Sequence, residues 1–93
     1  MPNKEILKLR KKLDRLDDHF LNIIKKRTIL VTQVLKNKKY KKDIIDHKRI
    51  KIILKNIKNK SIKRNIDTEI TKKIWSSMIR AYIDFEYKNF KKK

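Results

Sequence analysis

Ninety-three residues make one small domain with a limited capacity to bury a core, so self-association is expected from the outset. The chain has no cysteine, which excludes disulfides and thiolate metal sites and suits a reducing cytoplasm. Its unbroken apolar runs reach only about three residues, far short of a signal peptide or a membrane span of ~20, so a cytoplasmic chain with no membrane partner is expected.

The formal charge of +19 raises nucleic acid as a partner, because a basic footprint is what phosphate backbones select. The distribution argues against it. Lys outnumbers Arg 23 to 6, the lysines occur on every segment, and they do not gather into one stripe with interleaved aromatics. Most of these ammonium groups are read as solvated, in a chain also rich in Ile and Asn.

Glycine is absent and the only proline is Pro2, so little punctuates the chain and an almost wholly helical structure is expected. The first helix is expected from about Lys4 to Lys38. Alternating steps of four and three give Leu9, Leu13, Leu16, Phe20, Ile23, Arg27, Leu30 and Val34, with seven of the eight apolar. The polar patch "KNKKYKKD" breaks this pattern. A shorter second helix is expected from about Ile45 to Asn59, with Ile50, Ile53 and Ile57 on one face. After the connection "KSIKRNID", Asp67 is the expected N-cap of a third helix reaching about Phe90. Its apolar side carries Ile70, Ile74, Trp75, Met78, Ile79, Tyr82 and Phe85.

Length then constrains assembly. A helix of about 33 residues is about 50 Å long, whereas a compact globule of this size is only about 32 Å across. The seam of the first helix therefore needs apolar surface on a second copy. An all-α, three-helix chain in an intertwined homodimer follows.

Arg27 stands out in that seam, because a guanidinium there loses hydration unless an anion meets it. Counted on a regular helix, Lys38 lies about 16 Å further along nearly the same face, within reach of a shared small dianion. Arg10 lies about 25 Å from Arg27 and points about 100° away, so it cannot share a small ligand with Arg27 of its own chain. Antiparallel packing of two long helices would deliver it to the partner's site. Helix 3 carries Glu86 one turn after Tyr82, and helix 2 opens with Asp46 and Arg49. For each residue alone, a structural ion pair is the simpler account, with Arg27 paired to Asp17, Glu86 or another acid. Together they suggest a polycationic pocket with one carboxyl group, suited to a small multiply charged anion.

These residues resemble the all-α (type II) chorismate mutases. The run "LRKKLDRLDDHFLNIIKKRTILVTQVLKNK" is similar to that family's first helix, "IIDHKR" to the start of its second, and "IWSSMIRAYIDFEY" to its third. The resemblance covers almost the whole chain. It implies an intertwined dimer of three-helix chains, a single domain over 1–93, two shared active sites, and the rearrangement of chorismate to prephenate with no cofactor or metal. It also implies roles. Arg27 binds one substrate carboxylate and Arg10 from the partner another, Lys38 donates to the ether oxygen, and Glu86 makes the second contact to that oxygen. A carboxyl group donates only when protonated, which implies better activity at mildly acidic pH. Asp46 and Arg49 match residues that shape the pocket around the substrate hydroxyl and carboxylates.

Two positions depart from the pattern. Ile50 stands where the family usually has a Glu that accepts from the ring hydroxyl, and Tyr82 replaces a frequent Ser. Ile50 keeps open the related isochorismate pyruvate-lyases, which share the fold. A non-catalytic basic dimer binding nucleic acid is the reading from a different class.

Overall fold

A computed structural model describes residues 3–91. The described residues form three α-helices, α1 (Lys4–Lys36), α2 (His47–Lys63) and α3 (Thr68–Asn89), with a short 3₁₀ turn at Lys41–Asp43 and no strand. The all-α expectation holds. The chain divides into two compact units, Met1–Gln33 and Val34–Lys93.

The first unit is most of α1. Asn3 starts the helix by accepting the Ile6 N–H through Oδ1 at 2.8 Å, which satisfies one of the donors that every helix start leaves open. The expected seam is strongly exposed in the single chain. Leu9, Leu13, Leu16, Phe20, Ile23 and Leu30 are all on the surface, Leu16 and Ile23 at 62%. Arg27, in the same series, is half-buried. A monomer leaving these apolar side chains in water would forgo about 1.5–3 kcal/mol for each large one that burial could return.

The second unit opens with the end of α1, which stops at Lys36, two residues before the expected Lys38. The Asn37 and Lys38 N–H groups bond to the Val34 and Leu35 carbonyls at 3.0 and 3.1 Å, tightening the last turn in the i→i+3 manner. Lys38 is therefore a post-helix residue, and the regular rise behind the 16 Å spacing from Arg27 does not extend to it.

Helix α2 is displaced relative to the expected 45–59. Asp46 caps it by accepting the Arg49 N–H at 3.0 Å, so Ile45 precedes the helix and Ile44 is buried at 3% exposure. At the other end α2 continues through Ser61 to Lys63 and closes in a Schellman arrangement. The Ile66 N–H reaches the Ser61 carbonyl at 2.9 Å, and the Asn65 N–H reaches that of Ile62 at 3.2 Å. Asn65 takes φ 56°, the left-handed conformation in which Asn substitutes for glycine.

Helix α3 begins where expected, with Asp67 accepting the Glu69 N–H at 2.8 Å. It packs on α2. The buried Ser61 and Thr71 hydroxyls meet across that interface at 2.8 Å, and Ser61 also donates to the Ile57 carbonyl at 2.6 Å. On the expected apolar side of α3, Trp75, Met78, Ile79, Tyr82 and Phe85 are half-buried. Ile70 and Ile74 remain exposed, because the chain's own elements do not cover the start of that face. Among the described residues the apolar side chains that become buried are Leu35 and Ile44. Two such residues make a thin core, which restates in structural terms the size limit expected from a short chain.

Candidate active site

The centre of the second unit is polar. Lys38, released from the helical register just after α1, extends its ammonium to Glu86 on α3, with Nζ 2.9 Å from Oε1. The same ammonium donates to the Ile44 carbonyl at 3.2 Å. Glu86 is 6% exposed, among the most buried residues of the unit. A carboxylate at that depth persists only with a charged or hydrogen-bonded partner, and Lys38 supplies both. Glu86 lies one helical turn beyond Tyr82, whose ring meets Phe85 edge-on with centroids 6.3 Å apart at 85°.

An open cleft of ≈ 470 Å³ adjoins this pair, bordered by Lys38, Lys42, Asp43, Ile45, Asp46 and Lys48. The two aspartates are engaged in shaping the backbone. Asp43 accepts the Tyr40 N–H through Oδ2 at 3.2 Å, and Asp46 accepts the Arg49 N–H through Oδ1 at 3.0 Å. Lys42 and Lys48 add two ammonium groups to that of Lys38 on the cleft border, which makes it compatible with an anion.

Of the residues singled out from sequence, Lys38, Asp46 and Glu86 fall in or beside this cleft. Arg49 is exposed in the first turn of α2, where it donates its backbone N–H to the cap, and Ile50 and Tyr82 are half-buried. Arg10 and Arg27 belong to the first unit, both on α1, Arg10 exposed and Arg27 half-buried. Sequence reasoning missed the Ile44 carbonyl, a second acceptor for Lys38, and passed over Lys42 and Lys48. The pointer to them lay in "KKDIIDHK", which brackets Asp46 with lysines.

The fold and this centre define a small helical protein with a buried lysine–glutamate pair beside an anion-compatible cleft. The chain belongs to the chorismate mutase type II family, whose model matches residues 9–87. No curated protein and no solved structure matches it.

Proposed function

We propose that the chain catalyses the rearrangement of chorismate to prephenate in phenylalanine and tyrosine synthesis, as an intertwined homodimer with two shared sites. The observation that carries this reading is the Lys38–Glu86 pair at 2.9 Å in a chain of this family. The exposed seam of α1 supports the dimer.

The reaction is a [3,3] shift in which one C–O bond breaks as one C–C bond forms within a single molecule. It needs no nucleophile and no proton transfer. The protein's contribution is to hold the flexible dianion in its reactive conformer and to stabilise charge that grows on the ether oxygen. In this reading the Lys38 ammonium donates to that oxygen, with Glu86 making the second contact to it. Arg27 binds one carboxylate, and Arg10 of the partner subunit binds the other. Asp46 and Arg49 bound the pocket at the start of α2, with Tyr82 on the α3 side.

Ile50 favours a second reading. A half-buried isoleucine one turn after Asp46 offers no acceptor to the ring hydroxyl of chorismate. Isochorismate carries its hydroxyl elsewhere on the ring, and pyruvate elimination from it is the alternative. The test is to supply the purified protein with each substrate separately and to identify the product. Prephenate from chorismate supports the mutase, pyruvate from isochorismate alone moves the function to the lyase, and neither product sinks both.

A further inference from the structure

The stretch that leads into the cleft is strongly basic. Residues 36–51 hold eight lysines and arginines against two aspartates, whereas α3 holds four against three acids. Both aspartates of the basic stretch are committed to backbone N–H groups. Three of its lysines are also held in place. Lys38 is tied to Glu86 and the Ile44 carbonyl, Lys41 Nζ stands 5.9 Å from the centroid of the Tyr87 ring, and Lys42 Nζ stands 5.4 Å from that of Tyr40. The attraction of an ammonium to an aromatic face biases a long side chain toward one region without removing its charge. Lys42 therefore presents a localised cation on the cleft border, and Lys48 presents another from the first turn of α2.

We propose that Lys42 and Lys48 form a cationic entrance that draws a small dicarboxylate dianion into the cleft and passes it to Lys38. This rests on the function proposed above and adds two residues to it. The physical reason is range. The Lys38 ammonium is already engaged by Glu86 and is three-quarters or more buried as a side chain, so its own field on an approaching anion is partly cancelled. The border lysines make no ion pair like that of Lys38 with Glu86, and with Lys39, Lys41 and Arg49 beside them they outnumber Asp43 and Asp46, so a net positive field extends about 10 Å into solvent at 0.1 M salt before screening removes it. Fields of this kind raise capture rates by 10- to 1000-fold, with steep dependence on ionic strength. Arrival of the dianion then gives Lys38 a second anionic partner and loosens its hold on Glu86. Lys42 and Lys48 act on capture, and the chemical step is left to Lys38 and its neighbours.

The experiment compares Lys42→Gln/Lys48→Gln with Lys60→Gln/Lys63→Gln, a pair in the last turn of α2 that removes the same charge away from the cleft. All four side chains are exposed, so the fold does not depend on them. Chorismate turnover is followed as kcat/KM against ionic strength. The entrance pair is expected to lower kcat/KM about tenfold at low salt, through KM, with the gap closing as salt rises; the distal pair stays within about twofold. Lys42→Glu/Lys48→Glu deepens the loss in the same direction. Equal effects of the entrance and distal pairs, or an unchanged salt slope in the entrance pair, overturn the proposal while the mutase reading stands. Absence of turnover in the unsubstituted protein overturns both.

Discussion

The ammonium of Lys38 and the carboxyl group of Glu86, forty-eight residues apart in sequence, meet at 2.9 Å in the second unit. Their contact ties the end of α1 to the last turns of α3, so it has a structural consequence as well as a chemical one. Lys38→Met keeps the length of the side chain but leaves Glu86 buried without its cation. A loss of about 1–3 kcal/mol in stability is expected, read from the urea midpoint, with chorismate turnover falling by two orders of magnitude or more. A variant that lost stability while retaining turnover would confine Lys38 to a structural role.

Glu86→Gln separates those two functions. The amide still accepts from Lys38, so the loss of unfolding free energy should be smaller than in Lys38→Met. An amide also donates at every pH, whereas a carboxyl group donates only while protonated. If a donor at this position serves the reaction, the Gln variant should keep or raise kcat/KM for chorismate. A Gln variant that lost turnover without losing stability would remove that donor role from position 86.

The turn between α2 and α3 predicts an effect on stability alone. Asn65 holds φ 56° in a chain with no glycine, and its N–H and that of Ile66 close the end of α2. Asn65→Gly meets the left-handed requirement with no Cβ and should preserve or raise the melting temperature. Asn65→Ala should cost about 1 kcal/mol. Neither should alter kcat, because the turn lies at the end of α2 opposite Asp46.

That turn also shows where the sequence was legible and where it was not. The start of α1 and both ends of α3 followed from period and caps, since Asp67 is an ordinary Asp N-cap and the apolar stripe of α1 is long. The end of α2 was placed too early because "KSIKRNID" looks like a connection. Its Ser61 is instead buried, bonded to Ile57 and Thr71, and the stop signal is an Asn doing the work of a glycine. At the candidate site, Glu86 was legible as a carboxyl group on an apolar helix face. The pairing with Lys38 was not, because it depends on α1 ending two residues early and freeing Lys38 from the helical register. Local periodicity cannot report a contact created by the way a chain leaves its helix.

The arginines of α1 give the most discriminating prediction. Arg10 and Arg27 lie on one helix about 25 Å apart, too far for one small dianion to touch both within a chain. If each site takes Arg27 from one chain and Arg10 from its partner, Arg10→Ala and Arg27→Ala should each lower kcat/KM by about 100-fold or more. A heterodimer of the two variants behaves differently. One of its sites joins an intact Arg27 to an intact Arg10, while the other receives both substitutions. Unfolding and refolding an equal mixture should therefore restore about a quarter of the unsubstituted activity, because about half of the dimers are mixed and each has one complete site. Sites built within a single chain predict no rescue on mixing. Leu16→Asp, which places a charge in the exposed seam, should shift sedimentation toward monomer and abolish the rescue by blocking exchange into productive pairs. Rescue that survived Leu16→Asp would separate the shared site from the α1 seam and require another surface for assembly.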